Sequence, residues 1–332
     1  IPVLRELPEA KRRVTKVHTR GDFLSPGDAV EPAVPASFHP MPGDTTPSRL
    51  AVASWLTHPD NPLTARVQVN RVWAQFFGTG LVATQEDFGS QGQSPSHPEL
   101  LDWLALEFSG ESRAESQETR AKPNSATESS SSGSRLPWSH KRLCKLIVMS
   151  ATYRQSSRVS KELLERDRFN VLLARGPRFR LEAEMIRDSA LAVSGLLSSK
   201  MYGPSVMPPQ PEGIWQSTYN TTKWVTSQGE DRYRRGLYTF IKRTTPYPAM
   251  TTFDAPSREL CTIRRITTNT PLQALVTLND PAYIEAAQGL ARRMALQSSG
   301  RRPEEVLAKG IELALCRPAL PSEVATLAKL YE

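Results

Sequence analysis

The sequence predicts a mainly α-helical protein, an irregular helical domain with long Pro- and Gly-rich loops and at most a small β element. Three observations carry this. Apolar residues recur at helical spacing in segment after segment, and those segments open at Ser or Pro and stop at Gly or Pro. Only Gly236-Leu237-Tyr238-Thr239-Phe240-Ile241 alternates as a strand does. With 27 prolines and 18 glycines in 332 residues, the connections between helices are long and conformationally constrained.

Residues 1–48 show little periodicity and read as an extended lead-in draped over the body, which comprises 49–332. Within the lead-in, Arg20-Gly21-Asp22 is a turn in which Gly supplies an unusual φ. A helix from Pro47 presents Leu50, Ala53 and Trp55-Leu56 and stops at His58-Pro59. A second follows Asn61-Pro62, with Val69, Val72, Trp73, Phe76 and Phe77 on one face, and ends at Gly78. A third spans Pro98 to Phe108, with Ser96 as cap and Glu99 three residues on.

Residues 109–136 then hold nine serines, four acidic and four basic residues and almost no large apolar side chain, the composition of a disordered insertion. Helical periodicity resumes from Ser139 to about Tyr153 and from Lys161 to Ala174. It is strongest from Leu181 to about Ser198, where Ile186, Ala190, Val193 and Leu197 form the inner stripe and Glu182, Arg187 and Asp188 lie outside it. A Pro-rich loop follows Gly203. From Pro271 the pattern gives helices over about 271–278, 281–297 and 303–315, and a short one after Pro321.

The apolar content of 39% is ample for a core, and no apolar run approaches the roughly 18 residues that span a bilayer. The opening at Ile1 reads as the start of a C-terminal piece of a longer polypeptide. Net charge is +8, yet the basic residues fall in scattered pairs such as Arg234-Arg235 and Arg264-Arg265 without a nucleic-acid-binding motif, so nucleic acid is not the expected partner. Cys144, Cys261 and Cys316 make neither a disulfide framework nor a zinc site, and Cys144 and Cys316 sit in apolar helical patterns that suit buried thiols.

Catalytic signatures are sparse. His18, His39, His58, His97 and His140 form no helical metal pair, there is no C-x-x-C-H for haem, no G-x-S-x-G and no Gly-rich phosphate loop, so neither a metal nor a cofactor is expected on this chain. The candidate acid/base group is Asp87, His97 and Glu99, with Asp102 on the same helix face as Glu99. The plainer reading makes Glu99 a cap partner and sends Asp102 to solvent or an Arg. Candidate binding residues are Arg71, Trp73, Asp102, Trp103 and Arg258, because Arg, Asn and Trp together suit polyol or anionic ligands. Trp55, Trp215 and Trp224 are further stacking platforms. The plainer reading, to which such a pocket is the sharper alternative, is that closely interleaved Arg and Glu, as in Arg178, Arg180, Glu182 and Glu184, form internal ion-pair networks locking loops to helices.

Several dense blocks carry a resemblance: Asn61-Pro62-Leu63-Thr64-Ala65-Arg66 running into Val69-Asn70-Arg71-Val72-Trp73, Ser96-His97-Pro98-Glu99-Leu100-Leu101-Asp102-Trp103, Thr152-Tyr153-Arg154-Gln155-Ser156, Phe253-Asp254-Ala255-Pro256-Ser257-Arg258 and Asn269-Thr270-Pro271-Leu272-Gln273-Ala274-Leu275. Through them the chain resembles the C-terminal domain of unknown function, family 1553, of large exported planctomycete proteins with a c-type cytochrome domain near their N-terminus. The resemblance covers nearly all of the chain except 109–136. It implies an exported, periplasmic or cell-envelope setting, haem c in an upstream domain, and other domains of the parent polypeptide as partners. It implies no reaction. The expected function is an accessory or binding module for envelope polysaccharide or a partner subunit; the alternative is a hydrolase or redox-linked enzyme acting on carbohydrate.

Overall fold

The computed structural model describes residues 5–41, 48–110, 137–215, 223–298 and 302–331. It divides into two compact units, Ile1–Phe179 and Arg180–Glu332. Among the described residues both are helical, and the only sheet has two strands.

In the first unit, the lead-in holds a hairpin that the sequence reading left as loop. Strands β1 (Thr15–His18) and β2 (Pro26–Val30) pair antiparallel with a register shift between Lys16 and His18, and every residue of both is exposed. Their connection contains Arg20 and Gly21 at positive φ, so the expected Gly turn is present. Helix α1 (Arg49–Leu56) is capped by Ser48, whose side chain accepts from the Ala51 N–H. Its inner face is Ala51 and Trp55; Leu50 and Leu56 are exposed, which corrects the expected stripe. Trp55 Nε1 donates to the His39 carbonyl at 2.8 Å and its ring stacks on His39.

The core of this unit is formed by α2 (Thr64–Phe77), α3 (Pro98–Ser109) and α4 (His140–Met149), through Val69, Trp73, Leu101, Phe108, Leu143 and Ile147. Gly78 ends α2 at φ 78°, as the sequence predicts, and Phe179 packs where a Cβ would stand. Asn70, fully buried, holds the return loop: its amide donates to the Val82 carbonyl at 2.9 Å and its oxygen accepts the Val82 N–H at 2.8 Å. Helix α3 departs from its predicted cap. His97 occupies the N-cap with no side-chain capping bond, and Ser96 Oγ meets the His97 ring instead.

At the other end of α3, Gly110 lies against Pro137, and the Trp138 N–H donates to the Phe108 carbonyl at 2.8 Å. Of the predicted insertion at 109–136, Ser109 is helical, the last residue of α3; 111–136 lies outside the described residues. Helix α4 stops at Met149 rather than near Tyr153, because Ser150 Oγ turns back to the Ile147 carbonyl at 2.7 Å. The expected 161–174 helix is cut to α5 (Lys161–Arg166): the Asp167 carboxylate accepts the N–H groups of Val171 and Leu172, both at 2.8 Å, and Asn170 and Leu173 take positive φ.

The second unit is organised on α6 (Ala183–Ser194), shorter at both ends than predicted; Gly195 at φ 77° terminates it. Its buried face is Ala183, Arg187, Leu191 and Ser194, so the expected stripe is rotated and Arg187, placed outside by the sequence, is 5% exposed. Short α7 (Pro248–Thr252) was not predicted. Helices α8 (Pro271–Asn279), α9 (Pro281–Gln297), α10 (Pro303–Leu315) and α11 (Pro321–Tyr331) each begin at the proline that the sequence singles out. Helices α6 and α9 approach closely at Gly289, whose missing side chain leaves room for Leu196 and Ser194, and Arg293 donates to the Ala192 and Val193 carbonyls at the C-terminus of α6.

The expected strand at 236–241 is instead a 3₁₀ turn over Gly236–Tyr238 followed by an isolated bridge between Val206 and Thr239. The reason is the docking of Tyr233–Gly236 on α6. Asp188 accepts from Arg235 Nε at 2.9 Å and from the Gly236 N–H at 2.6 Å, and Arg187 donates to the carbonyls of Arg232 and Arg234. Arg234, 1% exposed, donates to the carbonyls of Tyr202 and Pro204 and lies 3.7 Å from the centre of the Tyr238 ring.

Two substitutions test these contacts. A Cβ on Gly236 would stand 2.8 Å from Glu184 Cα and 2.9 Å from its carbonyl oxygen, so Gly236→Ala is expected to cost about 2 kcal/mol or more in urea unfolding. Asn70→Ala leaves the buried Val82 N–H and carbonyl without partners and is expected to cost about 3 kcal/mol by the same measurement.

Candidate functional site

In the first unit the predicted residues are held separately. Asp87 closes a tight turn, its carboxylate accepting the Gly89 N–H at 2.7 Å. His97 Nδ1 lies 3.0 Å from Ser96 Oγ. Glu99 is exposed in the first turn of α3, where its charge suits the positive end of the helix. No hydrogen bond or ion pair among the described residues joins these three. Asp102 accepts from Arg66 Nε at 2.6 Å, meeting an Arg as the plainer reading expects.

Arg71 is exposed, and Trp103 is 48% exposed beside Asp102. Trp73 lies in the core, stacked on Phe77 with ring centres 4.1 Å apart. Trp215 and Trp224 belong to an aromatic group with Phe240 and Tyr247 in the second unit. Cys144 borders the first core, whereas Cys316 is exposed at the C-cap of α10, contrary to its expected burial. No group of three or more potential metal ligands occurs among the described residues.

The remaining candidate, Arg258, lines a cleft of about 110 Å³ in the second unit. Three segments build it. The first turn of α6 supplies Glu184. The chain beyond the Val206 bridge lines the cleft with Thr239, Ile241 and Arg243, the last in the turn closed by the Thr245 N–H on the Lys242 carbonyl at 3.1 Å. The chain from Tyr247 through α7 to Arg258 supplies Met250, Thr251, Pro256 and Ser257.

The loop carrying Arg258 is locked from behind. Asp254, at φ 61°, accepts the Thr268 N–H at 2.8 Å and its hydroxyl at 2.9 Å, and pairs with Arg180. Gln273, 5% exposed, donates to the Thr252 carbonyl at 3.0 Å and completes a capping box with Thr270 at the start of α8. Arg258 itself has φ 65°, outside the usual range for a side-chain-bearing residue.

The cleft charges are unevenly matched. Glu184 accepts two bonds from Arg265, at 2.6 and 3.3 Å, and Arg265 also reaches Glu182. Burial pushes the Glu184 carboxyl up, but the hydrogen bonds from Arg265 and its own backbone N–H, with the charges of Arg265 and Arg258, hold it below its ordinary value. A carboxylate fixed in this way is a poor proton donor or acceptor near neutral pH. Arg243 is exposed and makes no hydrogen bond or ion pair among the described residues. Thr239 is 5% exposed and its hydroxyl oxygen is buried without a partner. The arrangement can recognise a polar, negatively charged ligand.

Thr239 and Arg243 are not singled out as site residues by the sequence; their place in the cleft follows from tertiary packing. The interleaved Arg and Glu reading is met in kind, with partners distant in sequence: Arg265 serves Glu182 and Glu184, and Arg180 serves Asp254.

Glu184 and Asp254 both have folded-state pKa values below their ordinary ones, so they stabilise the fold above about pH 4.5 and lose that contribution as pH falls through the folded values. Asp280, pushed up by burial, acts in the opposite sense. The differential test is Arg265→Met, which leaves the burial of Glu184 less opposed and so raises its folded-state pKa; the variant is expected to melt lower than the parent chain at neutral pH and to lose less of its melting temperature as pH falls below about 4.5.

No curated protein matches the chain, and no solved structure does. The family described as PSD1, protein of unknown function (DUF1553), matches residues 48–121 and 131–331, so it takes in all three segments of the cleft and leaves out the lead-in 1–47, residues 122–130 inside the serine-rich stretch, and residue 332. With most of its length matched by that description, the chain belongs to the PSD1 (DUF1553) family.

Proposed function

We propose that this chain is a binding module of an exported, multidomain, cytochrome-c-associated protein, and that the cleft of the second unit is where it holds envelope polysaccharide or a partner subunit. In this reading haem c belongs to an upstream domain and this chain supplies recognition. The observation that carries it is the composition of the cleft. It contains an uncommitted Arg243 and an unpartnered Thr239, while its one carboxylate, Glu184, is already committed to Arg265. Such a site has donors for a ligand and lacks the pair of titrating groups that acid/base chemistry needs. The separation of Asp87, His97 and Glu99 into local turn and helix-end roles supports the same reading.

The test is a glycan-array screen of the purified chain, with reducing-end release measured on every glycan retained. Binding without release is expected. Ser257 is exposed at the cleft, and Ser257→Trp is expected to abolish binding by filling it while the melting temperature stays within about 2 °C of the parent. Glu99→Gln is expected to leave binding unchanged. Release of new reducing ends that Glu99→Gln abolishes would replace this reading with a carbohydrate-active enzyme.

A further inference from the structure

We infer that the ligand of the cleft is a saccharide carrying an oxyanion, either a uronate carboxylate or a sulfate ester; this rests on the reading of the cleft as a binding site. Two independent features point to that chemistry. The first is charge. Of the three charged side chains lining the cleft, Glu184 is bonded to Arg265, which it shares with Glu182, whereas Arg243 and Arg258 carry no hydrogen bond or ion pair of their guanidiniums among the described residues and outnumber it two to one. A guanidinium matches a planar carboxylate or a sulfate through two parallel N–H bonds, which a neutral hydroxyl cannot reproduce.

The second feature is Thr239. Its hydroxyl is buried and has no partner, although a buried hydroxyl ordinarily finds one. It lines the cleft together with Ile241 and Arg243, so a ligand that meets Arg243 with its oxyanion has its neighbouring atoms beside Ile241 and Thr239. A sugar acid has what this order requires: an oxyanion, an adjacent C–H face for Ile241, Met250 and Pro256, and a hydroxyl able to bond Thr239. The side chain of an acidic peptide has the oxyanion but no hydroxyl beside it.

The experiment is calorimetric titration of the whole chain with four probes: trigalacturonate, a sulfated galactose trisaccharide, neutral galactotriose and a hexa-aspartate peptide. Binding of at least one of the two acidic saccharides is expected, with neutral galactotriose and the peptide at least about tenfold weaker. Which acidic probe binds better separates the carboxylate source from the sulfate source. Arg243→Gln and Arg258→Gln are each expected to weaken binding about tenfold and to reduce its salt dependence.

Thr239→Val is expected to weaken binding severalfold while keeping or raising the melting temperature, since it removes an unpartnered buried hydroxyl. A lower melting temperature with unchanged affinity would overturn the assignment of Thr239. Equal affinity for galactotriose, lost in Ser257→Trp, would overturn the oxyanion while leaving the cleft as the binding site. Preference for the peptide would overturn the saccharide. Failure of every probe to bind would overturn this inference and leave a partner subunit as the occupant in the reading on which it rests; binding that survives Ser257→Trp would overturn the cleft as the site, and with it that reading.

Discussion

The seating of the Arg234-Arg235-Gly236 segment on helix α6 is the constraint on which the second unit depends. A residue without Cβ lets one backbone lie directly on another, and Asp188 holds it there by accepting one side-chain and one main-chain N–H. Arg187, buried in the same face, takes two carbonyls of the docked segment. Beyond Gly236, the chain brings Thr239, Ile241 and Arg243 to the same cleft as Glu184 in the first turn of α6. The cleft is thus a consequence of how two stretches of backbone meet.

This arrangement explains why charged residues recur in the sequence without marking a reaction. Arg180, Arg187, Arg234 and Arg265 are consumed by carbonyls, carboxylates and an aromatic ring within the second unit. Burying a guanidinium is costly unless it is bonded, and although the Nε of Arg187 and that of Arg234 are left without partners, the remaining bonds at each of these positions tie the surrounding loop to one conformation. The irregular segments hold their shape through such pairs in place of regular backbone ladders. Arg243 differs in having no such commitment among the described residues.

How much of this was legible follows from the range of each interaction. Helices α2, α8, α9, α10 and α11 could be read because periodicity and bounding Pro or Gly are local signals, and Gly78 and Pro281 act on the backbone at their own positions. The rotated face of α6 could not be read: hydropathy places Arg187 outside, and only the distant carbonyls of Arg232 and Arg234 make its burial affordable in free energy. The truncation of α5 by Asp167 was local but ambiguous, since the same residues fit a helix until a carboxylate captures two N–H groups. For the site, Arg258 was named from its dense block. Asp87, His97 and Glu99 drew notice as chemically capable types, whereas Thr239 gains its interest only from burial without a partner, a property no residue shows in sequence.

The meeting of Gly110 and Pro137 has a separate consequence. Two residues 27 positions apart lie against each other, and the Phe108 carbonyl receives the Trp138 N–H, so the chain leaves α3 and enters α4 at the same place on the first unit. The ring of Phe108 meets those of Trp138 and His140 edge to face at that place. The exit from one helix and the entry to the next are thus fixed by their contacts with each other, and the three-helix core is closed by residues that belong to its own helices and their ends.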